Sequence, residues 1–322
     1  MRPFTAPLWA RNPHCQTLLG ALIHRGRRHL LRRERVLLAD GDFIDLDWLL
    51  ASSGAGPTVL ILHGLEGSSR SPYIHRLLAA CQARQWSAVV MHFRGCSGEP
   101  NRLARSYHGG ETQDLDTIIR HLKDRSPKGL CVVGYSLGGG VLLKWLGEQG
   151  DDAELLAAAA VSVPFTLESA ALRLNRGFSR FYQWVLLRWL KRSVKRKALS
   201  LGHAIPPLGA LPDFRAFDDA ITAPLHGFTN ASDYYQKASC RSYLRTITVP
   251  TLLIHAADDP FFLPTNLPGP DEMSPRIQFE LSAHGGHVGF IAGGWPWAPR
   301  FWLDERLSAF LSAYMGVSAP TR

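Results

Sequence analysis

Three residue types, met in one order along the chain, could do chemistry together. Ser136 sits at the centre of Gly134-Tyr135-Ser136-Leu137-Gly138, a G-x-S-x-G string. Asp258 and Asp259 stand side by side before Pro260. His284 and His287 bracket two glycines in His284-Gly285-Gly286-His287. A serine hydroxyl is a poor nucleophile until a base takes its proton, and the base works best when a third group orients it. Serine, then acid, then histidine is an order in which such trios occur. The chemistry would be attack on an acyl carbonyl, with an ester on Ser136 as the intermediate. Asp259 is favoured as the acid over Asp258, and His287 as the base over His284. The developing oxyanion needs backbone donors. The Leu137 amide, just after the serine, is one. The Leu65 amide, in His63-Gly64-Leu65-Glu66-Gly67, is the other.

The string alone is a weak sign, so the elements that position it matter. Residues 130–133 are a short apolar run with two β-branched residues, as in a buried strand. Residues 141–148 read as a helix. Strand, glycine turn and helix together predict a sharp elbow that lifts the Ser136 hydroxyl clear of the sheet. Residues 251–256 predict a strand that delivers the aspartates to its end, and residues 276–281 one that delivers the histidines. Further strands are expected over 57–63, 87–93 and 157–163, and a hairpin over 35–50 about Asp40-Gly41. Helices are expected over 72–84, 111–122 and 302–315. This alternation predicts an α/β fold with a mostly parallel central sheet flanked by helices.

Alternation stops at Pro164 and resumes near residue 250. Residues 165–239 show helix signals only and are expected to form a cap over the carboxyl ends of the strands, where such sheets bind ligands. The remaining division is an N-terminal arm, 1–33, and a core from 34–164 and 240–322. Within the cap, 178–197 predicts one long helix. Phe178, Phe181, Tyr182, Val185 and Trp189 form its apolar stripe, widened by Leu186 and Leu190, and are expected to cover an acyl pocket above Ser136. Several histidines have plainer readings. His63 is expected to shape its loop, and His92 and His255 to be hydrogen-bonded core residues.

Composition bounds the reading. A chain of 322 residues, 46% hydrophobic and 20% charged, describes a soluble globular protein with a large core. The N-terminus lacks the apolar run of a signal peptide. Five scattered cysteines without C-x-x-C spacing argue against a disulfide framework or zinc site and fit a reducing cytoplasm. No Walker loop, dinucleotide fingerprint or metal cluster is visible, so no cofactor and no metal are expected. The net charge of +9 is concentrated in residues 25–35 and 188–197, the second with six cations and no acid. Nucleic acid is not expected as a partner, because no binding motif accompanies the charge. Solvated helix faces are one reading of these clusters, and contact with an anionic membrane surface is the other.

Taken together these residues resemble the α/β-hydrolase superfamily. Further stretches resemble one branch, the YheT-type esterases, related to membrane-associated lipid hydrolases of the abhydrolase family. They are Asn12-Pro-His-Cys-Gln-Thr17, His63-Gly-Leu-Glu-Gly-Ser68, Phe93-Arg-Gly-Cys-Ser-Gly-Glu-Pro100, Tyr107-His-Gly-Gly-Glu-Thr-Gln-Asp-Leu115, Asp258-Asp-Pro-Phe261 and His284-Gly-Gly-His-Val-Gly289. The resemblance implies a serine esterase, with Asp259 and the second histidine, His287, in the trio. The function expected from the residues as a whole is a carboxylesterase for apolar, short- to medium-chain acyl esters. Alternatives are an acyltransferase with an alcohol acceptor, a non-catalytic protein on the same fold, and a peripheral membrane binder.

Overall fold

The computed structural model describes residues 3–23, 29–51, 57–202 and 204–316. Eight strands form the main sheet: β1 (Arg32–Leu37), β2 (Phe43–Leu49), β3 (Thr58–Leu62), β4 (Ser87–Met91), β5 (Leu130–Tyr135), β6 (Ala157–Val161), β7 (Thr251–Ala256) and β8 (Ile277–Ser282). Their spatial order is β1-β2-β4-β3-β5-β6-β7-β8. β1 and β2 are a hairpin with Val36 opposite Ile44, β2 joins β4 antiparallel, and every later pairing is parallel.

Helices cover both faces, which is why β3 to β6 are buried along their whole length and read as unbroken apolar runs. Alternate residues serve opposite layers. Leu60, Leu62 and Val132 pack with α3 (Thr112–Lys123) and α4 (Leu137–Gln149). Val59, Ile61 and Val133 pack with α2 (Pro72–Ala83) and α10 (Trp302–Tyr314). On α3 the buried face is Leu115, Ile118, Ile119 and Leu122, the stripe its spacing predicts.

β1 is an exposed edge, guarded by arginines. Arg35 donates two hydrogen bonds to Asp45, at 2.8 and 2.9 Å, and Arg33 holds Asp47 at 2.8 Å. These two cations of the first basic cluster are therefore committed to the hairpin, while Arg25, Arg27 and Arg28 lie outside the described residues.

Between β6 and β7 the described residues form helices and no strand: α5 (Leu167–Leu174), α6 (Ser179–Leu201), α7 (Phe214–Phe217), α8 (Ala223–Leu225) and α9 (Ala231–Ala238). They share an apolar centre that includes Leu174, Tyr182, Leu187, Phe214, Phe217 and Tyr235. The expected stripe of α6 is set differently. Phe178, Phe181 and Trp189 are 51%, 44% and 45% exposed, while the inward side carries Tyr182, Leu186, Leu187 and Leu190. Apolar residues occupy so wide an arc of this helix that spacing alone does not choose the buried third. Trp184, also outward, is 57% exposed.

Three elements, one helix and two paired strands, escaped the sequence reading. α1 (Pro13–Leu22) begins at Asn12, whose side chain accepts from the His14 and Cys15 amides. β9 (Ile291–Trp295) and β10 (Ala298–Phe301) make a small separate hairpin. Among the described residues no helix is long and apolar enough to cross a membrane.

Candidate active site

The elbow is built by close approach. Gly134, near the end of β5, has no room for a Cβ, which would lie 2.6 Å from the Gly138 carbonyl oxygen. At Gly138 a Cβ would lie 2.5 Å from the His63 oxygen, so α4 can start hard against the β3 loop only with glycine there. Ser136 between them has φ +50°, a left-handed conformation that costs a non-glycine residue of order 1–3 kcal/mol. Its amide is anchored to the Val161 carbonyl at 2.8 Å. Strain at the serine is thus held by the strands on either side.

β7 delivers the acids and the segment after β8 the histidines. His287 Nδ1 lies 2.9 Å from Asp259 Oδ2, and its Nε2 lies 3.1 Å from Ser136 Oγ. With Nδ1–H donating to the carboxylate, Nε2 is left to accept the serine proton. Asp259 is 3% exposed, and its other oxygen accepts from the Phe261 amide at 2.9 Å. Phe261 lies flat on the imidazole, ring centres 4.0 Å apart at 12°, which limits the ring's rotation.

Asp258 and His284 have a different place. Asp258 accepts from the Gly286 amide at 2.9 Å and lies 3.3 Å from His284 Nδ1. Burial raises the Asp258 carboxyl above its usual range. The pair pins the histidine loop from outside. That loop is tied at successive amides: Gly286 to Asp258, His287 to Thr17 Oγ1 at 2.9 Å, and Val288 to Ser162 Oγ at 3.0 Å. Gly286, with φ +57°, is pressed so closely on α1 that a Cβ would meet the Pro13 oxygen at 2.5 Å.

Thr17 and Gln16 are the residues that sequence reasoning missed. Gln16 is fully buried. Its amide nitrogen donates to the Ala10 and Ile291 carbonyls at 2.8 and 3.1 Å, and its oxygen accepts from the Ile291 amide at 2.6 Å. A signal was present, since Asn12-Pro13 is an N-cap followed by a first-turn proline.

Leu65 and Leu137 border the same pocket as Ser136. A Cβ on Gly64 would come 3.3 Å from the Ser136 Cβ, so the Gly64-Leu65 backbone abuts the serine. His63 shapes that loop, as expected: Nδ1 lies 2.7 Å from the Gly64 carbonyl, Nε2 accepts from the Phe93 amide at 3.3 Å, and burial lowers its pKa to about 3. His92 donates from Nε2 to Asp47 at 2.8 Å. His255 differs from expectation, because neither ring nitrogen has a hydrogen-bond partner among the described residues. Phe165 and Phe262 flank it instead, and burial lowers it to about 4.

The pocket above Ser136 is lined by Leu167, Leu174, Leu186, Leu190, Phe214 and Phe217 from the helices between β6 and β7 and by Phe261 and Phe262 after β7. Its buried acid, Asp218, is pushed up to about 6 by desolvation and receives hydrogen bonds from Thr222 and Tyr235.

One cluster has metal-ligand types: His108, Glu111 and His226 lie within 4.8 Å of one another. His108 Nδ1 accepts from the Gly110 amide at 3.1 Å, so Nε2 carries the proton, and Arg105 already pairs with Glu111. His226 meets the His108 ring edge-on, with centres 4.6 Å apart.

Comparison with known proteins agrees with this fold. The family model of the alpha/beta hydrolase fold matches residues 57–293. YheT of Escherichia coli (strain K12), provisionally named an esterase, is 43% identical over 94% of this chain and 91% of its own. Phospholipase ABHD3 of Mus musculus is 31% identical over 95% of this chain and 77% of its own. Among solved structures, the esterase Pf2001 of Pyrococcus furiosus superposes over 98% of this chain and 100% of its own with a TM-score of 0.58, at 16% identity, a likeness of fold. The chain belongs to the α/β-hydrolase family.

Proposed function

We propose that the protein is a serine carboxylesterase acting on apolar esters of short to medium acyl chain. The observation that carries this is the single imidazole bridging Asp259 and Ser136 at 2.9 and 3.1 Å beneath an apolar pocket. Ser136 Oγ attacks the ester carbonyl carbon while its proton passes to His287 Nε2. Asp259 holds the tautomer and stabilises the imidazolium. The amides of Leu65 and Leu137 receive the oxyanion. His287 then gives its proton to the departing alkoxide, leaving an acyl ester on Ser136. Water repeats the sequence with the acyl-enzyme and releases the acid. Residues 165–239 act as the cap that encloses the acyl group, 34–164 with 240–322 as the hydrolase core, and 1–33 as an arm. Neither metal nor cofactor enters this chemistry. All five cysteines are free thiols, which supports a reducing cytoplasm as its place.

The relatives' names support ester chemistry. They include a monoacylglycerol lipase of Saccharomyces cerevisiae, 32% identical over 82% of this chain and 61% of its own. A second reading, acyl transfer to an alcohol, draws on another yeast relative named medium-chain fatty acid ethyl ester synthase/esterase 2, 32% identical over 73% of this chain and 58% of its own. The two differ in whether an alcohol outcompetes water at the acyl-enzyme. A non-catalytic reading would need a broken trio, and Ser136, Asp259 and His287 are within hydrogen-bond reach.

The test is Ser136→Ala. It should keep the fold and abolish both hydrolysis of p-nitrophenyl butyrate and labelling by a fluorophosphonate. Labelling that persists at the wild-type level would overturn the assignment. Adding ethanol to the wild-type reaction and measuring ethyl ester against free acid separates transfer from hydrolysis.

A further inference from the structure

The outward face of α6 combines features that a solvated helix does not need. Phe181, Trp184, Arg188, Arg192, Lys195 and Leu199 recur at three- and four-residue steps and so share one side of the helix. Phe181, Trp184 and Leu199 are 44%, 57% and 75% exposed. An open groove runs along this side to the 208–212 loop, lined by five cations, Arg180, Arg188, Lys191, Arg192 and Lys195, and by no acid. None of the five forms an ion pair among the described residues. Lys191 donates to the Leu211 carbonyl, and Arg188 sits over the Trp184 ring at 5.5 Å. In the same stretch between β6 and β7, Arg215 pairs with Glu168 and Lys237 with Asp233. Unpaired positive charge beside exposed tryptophan and phenylalanine is the composition of a helix lying in a lipid headgroup layer. The opposite side of α6 places Leu186 and Leu190 in the pocket above Ser136. One helix therefore links the basic aromatic surface to the acyl site.

We propose that the outer face of α6 docks the protein on anionic lipid bilayers, so that the esters it takes are those dissolved in or part of the membrane. The naming of the substrates rests on the esterase reading; the docking itself does not. The α6 cations supply attraction to anionic headgroups, and Phe181 and Trp184 enter the boundary with the acyl region. The helix lies on the surface rather than crossing it.

The experiment uses full-length Ser136→Ala protein and sucrose-loaded vesicles, either phosphatidylcholine alone or phosphatidylcholine with phosphatidylglycerol. The protein should sediment with the anionic vesicles, much less with the neutral ones, and less as salt rises. Each cation near such a surface contributes about fivefold in partitioning. Replacing Arg188, Arg192 and Lys195 together by Gln should therefore weaken binding about a hundredfold, and Phe181→Ala with Trp184→Ala should weaken it at low and high salt alike. In the wild-type background the same replacements should leave hydrolysis of p-nitrophenyl butyrate unchanged. Failure of the protein to sediment with anionic vesicles, or equal binding by the triple variant, overturns the docking. Vesicle binding by a wild-type protein that cleaves no ester upholds the docking and overturns the esterase reading instead.

Discussion

At the scale of single residues, two neighbouring aspartates have been given different work by a one-residue step along the loop after β7. Asp259 faces the imidazole edge opposite Ser136, whereas Asp258 faces the His284 ring and the Gly286 amide. Asp259→Asn should keep the fold and lower kcat by about 10⁴-fold, because an amide favours the tautomer that cannot accept the serine proton. Asp258→Asn still offers an oxygen to the Gly286 amide, so its cost should be far smaller. Steady-state kinetics on a soluble ester rank the two, and the reverse order would move the acid to Asp258. Chain order led the sequence reading to the loops after β7 and β8, because the chemistry demands serine, acid and histidine in a fixed order, and the structure brings those loops together beside Ser136. Within each pair it favoured Asp259 and His287, and the turn after each strand aims these two, not Asp258 and His284, at the serine. The His255 reading failed. A polar type inside a strand says nothing of whether its neighbours are donors or aromatic rings, and here they are Phe165 and Phe262.

Among the elements, α1 was the least legible and has the most direct hold on the site. Its inward residues are Gln16, Thr17 and Gly20, polar or small, so it has no apolar stripe to reveal it. The small residue is required: a Cβ on Gly20 would come 2.9 Å from the Gly289 Cα. The Tyr107-His108-Gly109-Gly110 stretch, which carries a family likeness but no periodicity, has an equally physical use. Gly109 donates to the Tyr234 hydroxyl at 2.9 Å, and Gly110 lies so close to α9 that a Cβ would meet the Ala238 Cβ at 2.8 Å. Both stretches are places where backbone meets backbone, and periodicity registers side-chain burial only. Thr17 offers a test of the α1 contact. Thr17→Val keeps the shape, removes the oxygen that accepts the His287 amide, and leaves a buried donor unpaired at a cost of about 1–3 kcal/mol. Misplacing a catalytic group by about 1 Å costs on the order of 10²-fold. Thr17→Val should therefore reduce kcat by about 10- to 100-fold with KM little changed, and Thr17→Ser, which keeps the oxygen, should restore it. A Thr17→Val enzyme with wild-type kcat would show that α1 merely packs against the loop.

Across the whole molecule, the described residues between β6 and β7 meet the rest of the chain around two adjoining cavities. The first holds Ser136. The second runs from Pro100 and Asn101 of the core to Leu201, Ile205 and Leu225 of the cap. Tyr107, Leu190, Phe217 and Thr222 line both, so they form the wall between them. The far chamber is apolar along Val194, Leu201, Ile221 and Leu225. Its polar end holds Arg196 and Lys197, the latter lowered to about 8 by burial. If the acyl chain of a substrate ends against this wall, the wall sets the length the enzyme accepts. Phe217 is its bulkiest cap residue and is 4% exposed, held within the apolar centre of the cap. Replacing it by Ala removes the ring from between the chambers, at a stability cost of about 3–5 kcal/mol. Phe217→Leu opens less and costs less. Along p-nitrophenyl esters from butyrate to palmitate, the wild type should peak at short to medium chains. Phe217→Ala should shift the peak in kcat/KM toward the longer esters, with Phe217→Leu between the two. A uniform fall at every length, with the peak unmoved, would mean that the acyl chain leaves Ser136 in another direction and that the far chamber belongs to the alcohol side of the substrate.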